Sequence, residues 1–138
     1  MTAIDKVAWL HVVDGRVLAA RSAGKDTWYL PGGKREPGES DVATLIREIA
    51  EELSVTLDPV TARPAGVWET QAHGRADGVL VRMTCYTAEY TGELTASSEI
   101  ASFGWLTLAD RAQVSPAVAL ILDDLFARGE LAADLPPR

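Results

Sequence analysis

Four glutamates in one short stretch hold most of the chemistry in this chain. Glu48, Glu51 and Glu52 follow Glu39 inside the stretch GKREPGESDVATLIREIAEELSV, residues 33–55. A helix turns about 100° per residue, so Glu48, Glu51 and Glu52 share one face about 100° wide. Leu45, Ile49, Val42, Leu53 and Ile46 fall on an adjoining apolar arc, and Arg47 lies on the far flank of the acids. Like charges three and four residues apart repel by roughly 0.2–0.5 kcal/mol per pair, so something must offset them. A solvated surface face is the ordinary reading of such a run. Two details weigh against it. The acids border the apolar arc, at the rim where the helix meets the body. They also follow a loop bearing Gly32, Gly33 and Gly38, where backbone can approach a ligand closely. Three carboxylates with backbone carbonyls nearby suit a hard divalent cation such as Mg²⁺, which takes oxygen ligands and is commonly shared with phosphates.

The elements that must position these acids are legible on either side. Ser40 is an N-cap and Asp41 a first-turn acid, which predicts a helix from about Asp41 to Leu53. Before it, KVAWLHVV and RVLAARS read as two strands joined by an Asp14-Gly15 turn, and TWYL as a short extended piece. After it, VWETQ, VLVRMTCYTAEY and FGWL read as strands, with a loop at His73–Gly78. Ser115-Pro116 opens a second helix whose Val118, Ile121, Leu122 and Leu125 form a core stripe. The tail from about 130 to 138 reads as a frayed end. Strands around one helix and closed by another predict a mixed sheet with helices packed on it, in a single domain over residues 1–138.

The totals agree with that. With 138 residues, 47% hydrophobic and 24% charged, the chain can bury a real core. A formal net charge of −7 argues against binding a nucleic-acid polymer. Cys85 is unpaired and on the apolar parity of its strand, so a buried thiol in a reducing, cytoplasmic setting is expected. VAWLHVV is too short for a membrane span and lacks the shape of a signal peptide. Exposed strands leave a homodimer open.

From Gly33 the stretch runs Gly, five residues, Glu39, seven residues, Arg47-Glu48-Ile49, one residue, Glu51-Glu52, one residue, Ser54, Val55. That resembles the Nudix box of the Nudix hydrolases in every position but one. Ser54 stands where the family prefers a glycine for a left-handed backbone turn, so altered capping without loss of chemistry is expected. The resemblance implies an α/β/α sandwich with a mixed central sheet and hydrolysis of a nucleotide or other nucleoside diphosphate derivative. It implies that Glu48, Glu51, Glu52 and the Gly33 carbonyl bind Mg²⁺, or Mn²⁺, oriented by Arg47 and Glu39. Such metals neutralise phosphate oxygens and bring the pKa of an attacking water from 15.7 toward about 7. Glu48 and Glu99 are the two candidates for general base. Lys34, Arg21, Arg82 and Arg75 are candidate phosphate clamps, with Lys34 favoured by its place in the loop. Trp28, Trp68 and Tyr29 are candidates to stack a base, although aromatics in strands are more often core. His73 and His11 are too isolated in sequence to be read as ligands.

Gln71 stands where ADP-ribose hydrolases of the family tend to place proline. Ala72 and His73 stand where dinucleoside polyphosphate hydrolases tend to place tyrosine. By elimination the resemblance points to nucleoside triphosphates, normal or oxidised. A non-catalytic ligand-sensing or protein-interaction module on the same fold is the alternative, disfavoured because no box acid is missing. An isomerase of isoprenoid diphosphates is a third reading, which the lone Cys85 does little to support.

Overall fold

The computed structural model describes residues 3–134. In chain order its strands are β1 (Ala3–Trp9), β2 (Val12–Val13), β3 (Arg16–Ser22), β4 (Gly32–Gly33), β5 (Thr56–Leu57), β6 (Arg63–Gln71), β7 (Leu80–Thr87), β8 (Tyr90–Thr91) and β9 (Ile100–Leu106). Helix α1 (Asp41–Leu53) falls between β4 and β5, and α2 (Pro116–Ala127) follows β9.

The end of β1, from Val7 on, is apolar on both sides because it is covered on both sides. Val7 and Trp9 join Leu45, Ile49 and Leu53 of α1 in one core cluster. Ala8 and Leu10 join Val118, Ile121 and Leu122 of α2 in the other. β3 splits the same way, with Leu18 toward α1 and Val17 and Ala19 toward α2. Strand side chains alternate faces, so a helix on each face requires continuous apolar runs in the strands between. β1 pairs in parallel with β7 and antiparallel with β4, and β7 pairs antiparallel with β6, which makes a mixed sheet of order β4-β1-β7-β6. A second sheet has order β2-β3-β9, and β5 pairs with β8 in a small ribbon.

KVAWLHVV is not one strand. Trp9 ends β1, and Leu10-His11 carries the chain into the second sheet as β2. Both pieces are apolar, so no change of pattern marks the break. VLVRMTCYTAEY divides for the same reason into β7 and β8, in different sheets. The expected turn is present: Asp14 and Gly15 both have positive φ, 51° and 78°, and join β2 to β3. This suits the right-handed strand twist.

The tail is not frayed through residue 133. Leu131 is buried, the Ala132 N–H donates to the Gly15 carbonyl at 2.8 Å, and the Ala132 and Ala133 carbonyls accept from Leu108 and Ala109. An apolar anchor at Leu131 and paired backbone groups hold the segment down. The expectation for residues 135–138 lies outside the described residues. Among the described residues, no helix is long and apolar enough to cross a membrane.

Candidate active site

α1 carries the acidic cluster and is fixed at both ends. The Ser40 Oγ accepts from the Ala43 N–H, and first-turn Asp41 is held by Arg35 and by the Tyr86 hydroxyl at 2.8 Å. Leu45, Ile49 and Leu53 are fully buried. At the other end Ser54 takes φ 62° and ψ 24°, the left-handed conformation its glycine-preferring position demands.

Between these ends the carboxylates are graded in burial. The Glu51 side chain is 53% exposed and the Glu48 side chain 15%, while Glu52 as a residue is only 5% exposed. Arg47 offsets part of their repulsion. Its guanidinium grips Glu39 through two hydrogen bonds of 2.7 and 2.8 Å, donates to Glu48 at 3.0 Å and to the Lys34 carbonyl at 3.1 Å, and reaches Glu51 at 3.7 Å. A planar guanidinium suits such a fork, which a lysine could not make. Arg47, the Glu36 backbone and Thr44 hold the Glu39 carboxyl down at about 2. Glu39 thus acts on the cluster through Arg47.

Glu52 receives no such help. Among the described residues no cationic side chain pairs with it within 4.0 Å, and it accepts only the Gly32 N–H at 3.3 Å and a bond shared with Glu48. Burial, and then Glu48, push its carboxyl up to about 9. A carboxyl so placed stays protonated at neutral pH unless a positive charge arrives. The glycine loop packs directly on the neighbouring Glu48. A side-chain carbon at Gly33 would lie within 3.0 Å of all three terminal atoms of the Glu48 carboxylate, so glycine is needed for the loop to lie against it. Among the described residues no three acidic, histidine or cysteine side chains converge as a finished cation cage. Glu52 instead hydrogen-bonds Glu48, and Glu51 extends toward solvent. A set of oxygen donors around a buried, uncompensated carboxyl fits a hard divalent cation, which displaces such a proton.

A cavity of about 600 Å³ opens in front of this cluster, a volume suited to a small-molecule ligand. Gly33, Lys34, Glu52 and Glu99 line it. Glu48 stands behind Gly33, with Arg47 and Glu51 outside the lining. Glu99 is exposed there, and the Ser98 hydroxyl, donating to its carboxylate at 2.6 Å, lowers its pKa. The floor is apolar, including Ile4, Leu30, Val81 and Met83.

Other sequence candidates lie elsewhere. Arg21 stacks on Trp28 at 4.6 Å, and Trp28 packs over Gly104 of β9; neither lines the cavity. Arg82 alternates with the cavity-facing Val81 and Met83, so it points to the opposite face, where it pairs with Glu69 at 3.0 Å. Trp68 is core and donates to Asp124. Cys85 is buried, and that burial pushes its thiol up to about 12. His11 stacks on Trp9 at 4.5 Å within an aromatic group.

The cavity also holds residues that sequence reasoning did not select. Lys6 lines it from β1, and its pKa is lowered by burial first and then by Lys34. A signal existed: Lys6 stands on the same parity as Ile4 and Ala8, where an apolar residue belongs. His73 lies in the cavity wall edge-on to Tyr29, 6.0 Å between ring centres, and Lys25 lines the wall as well; Tyr29 and Arg75, both candidates from the sequence, line it too. Seven charged residues therefore face this space, four cationic (Lys6, Lys25, Lys34, Arg75) and three acidic (Asp26, Glu52, Glu99), in a chain of net charge −7.

Comparison with known proteins agrees with this architecture. A family model described as the NUDIX domain matches residues 4–125. A MutT-like protein of Streptomyces ambofaciens is 34% identical over 96 residues, covering 68% of this chain and 56% of its own length. The CTP pyrophosphohydrolase of Escherichia coli K12 is 42% identical over 59 residues, covering 40% of this chain and 44% of its own. The chain thus spans about half the length of these curated relatives. The crystal structure of the MutT Nudix hydrolase from Burkholderia pseudomallei superposes with a TM-score of 0.70 at 27% identity, covering 89% of this chain and 98% of that one. With its acidic helix, its glycine loop and its mixed sheet between two helices, this chain belongs to the Nudix hydrolase family.

Proposed function

We propose that this protein is a Mg²⁺-dependent pyrophosphohydrolase of nucleoside triphosphates, normal or oxidised. The observation that carries the reading is Glu52, a buried carboxyl that among the described residues has no cationic side chain within 4.0 Å, at the wall of a cavity lined by four cationic residues. Glu48, Glu51, Glu52 and the Gly33 carbonyl supply the oxygen donors. Mg²⁺ held there would neutralise phosphate oxygens and acidify the attacking water. Arg47 and Glu39 keep Glu48 facing Gly33. Lys34, Lys6 and Arg75 attract the remaining phosphate charge. Glu99, ionised and exposed at the cavity, accepts the proton of the attacking water. The Tyr29 ring offers a flat surface for the base, over an apolar floor that excludes water. The name of the E. coli relative, CTP pyrophosphohydrolase, supports a triphosphate substrate.

The test is a panel of nucleoside di- and triphosphates with Mg²⁺, assayed for pyrophosphate and orthophosphate. Turnover of a triphosphate with release of pyrophosphate, abolished by Glu52→Gln while the circular dichroism spectrum is kept, supports the reading. Metal-independent binding with no turnover of any nucleotide would instead indicate a ligand-sensing module.

A further inference from the structure

The last turn of α1 is not capped by neighbouring residues alone. Helix ends leave carbonyls without intrahelical partners. Here the Ala50 carbonyl accepts from the Ser54 N–H at 3.2 Å, and the next three are taken by one crossing segment. The Glu51 carbonyl accepts from the Ser97 hydroxyl at 2.5 Å, the Glu52 carbonyl from the Ser97 N–H at 2.9 Å, and the Leu53 carbonyl from the Thr95 N–H at 2.9 Å. The Ser54 and Ser97 hydroxyl oxygens lie 3.2 Å apart. A serine has a single O–H to donate, and that of Ser97 goes to Glu51, so Ser54 is the donor of the pair.

Ser97 also starts the turn that delivers Glu99. The Ile100 N–H donates back to the Ser97 carbonyl at 3.1 Å, and Ser98 inside the turn takes φ 58°. The Glu99 carbonyl accepts from the Ala23 N–H, just past the Ser22–Ile100 pair that ends the β3–β9 ladder. The Glu99 loop is therefore fastened to the end of the helix that carries Glu48, Glu51 and Glu52, at the position where this chain departs from the box pattern. A glycine at 54 has no hydroxyl to offer.

We infer that Ser54 and Ser97 form a clasp that positions Glu99 over the glutamate cluster of α1. They are positioning residues, acting through Glu99. The inference rests on the reading of Glu99 as proton acceptor given above. Losing the clasp lets Glu99 drift while the helix and fold persist, and sub-ångström drift of a reacting group costs on the order of tenfold in kcat.

The experiment is a double-mutant cycle on the triphosphate that the panel identifies. Ser97→Ala and Ser54→Gly are each expected to lower kcat by about tenfold with little change in KM. Ser54→Gly should leave Tm unchanged or raise it, because glycine takes φ 62° without strain. Ser97→Thr, which keeps the hydroxyl, should restore activity. In a Glu99→Gln background the same two substitutions should change kcat by less than about twofold, since the group they position is already disabled. Independently of turnover, amide exchange at Ala23 and Ile100 should quicken in Ser97→Ala while amides of Leu45 and Ile49 stay protected. Equal losses in both backgrounds, full activity of Ser97→Ala, or unchanged exchange at Ile100 would each overturn the clasp. Full activity of Glu99→Gln would overturn it too, while leaving the Glu52→Gln result, and so the hydrolase reading, intact.

Discussion

Adjacent glycines in the loop before α1 should fail in different ways when each is changed to alanine. At Gly33 a new Cβ would lie within 3.0 Å of the Glu48 carboxylate, the far end of a flexible side chain, and the backbone there is ordinary. The carboxylate must retreat by roughly 1–1.6 Å to reach van der Waals distance, through a rotamer shift costing about 0.5–1.5 kcal/mol. The lower entropy of the unfolded chain returns about 0.4–1 kcal/mol, so stability should hardly move. Activity should move a great deal, because a 1 Å misplacement at a reacting centre costs on the order of 10²-fold. At Gly32, φ is +151° and the Cβ would press on the Val7 carbonyl and the Ala8 Cα, backbone of the β1–β4 pairing that cannot swing away. Strain of about 1–3 kcal/mol and overpacking of about 1–3 kcal/mol add to roughly 2–6 kcal/mol. At about 4 °C per kcal/mol for a domain of this size, Tm should drop by roughly 8–24 °C. Thermal melts and steady-state kinetics on both variants separate the cases. Gly33→Ala is expected to keep Tm within about 3 °C and lose roughly 30–100-fold in kcat. If Gly33→Ala melts as early as Gly32→Ala, or turns over substrate like the parent, the reasoning about Glu48 is wrong.

Other consequences are simpler to check. With chelator present, the raised carboxyl of Glu52 binds a proton in the folded state that the unfolded chain releases near 4.5. Folded-state stability from this group is full below about 4.5 and is lost as pH rises toward about 9, so Tm of the metal-free protein should fall between pH 6 and 9. Adding Mg²⁺ should flatten that slope, and melts across this range with and without the ion read it directly. Lys6→Met replaces a desolvated amine by an apolar chain of similar length; Tm should hold or rise while KM increases by about tenfold, measured by initial rates. Leu131→Ala should cost about 2–3 kcal/mol of stability by denaturant titration, because this side chain is 5% exposed and packs in the α2 cluster.

What the sequence discloses here divides along a physical line. The bounds of α1 are legible because they depend on residues within a few positions: the Ser40 cap, the first-turn Asp41 and the period of Leu45, Ile49 and Leu53. So is the crowding of Glu48, Glu51 and Glu52, which is helical arithmetic. The break at Leu10-His11 is not, because an apolar run reads alike whether it continues in one sheet or crosses to the next. The cavity is less legible still. Lys6, Tyr29, His73 and Glu99 come from four separate segments that only the sheet order brings together, and no local pattern encodes that order.

Ser54 shows both sides of this line at once. Its φ of 62° keeps the left-handed turn that its place just past a helix demands, where the serine led to an expectation of altered capping. Its hydroxyl contact is with Ser97, 43 positions away, and nothing near Ser54 in the chain announces it. An odd residue at a glycine position therefore signals that something has changed locally, while what it gains in return depends on which distant segment the fold lays across the helix end. Here that segment also supplies three donors to the helix carbonyls and carries Glu99 two residues on. A departure that by spacing alone only strains the backbone thus lies in contact with the segment that delivers Glu99, the proposed proton acceptor.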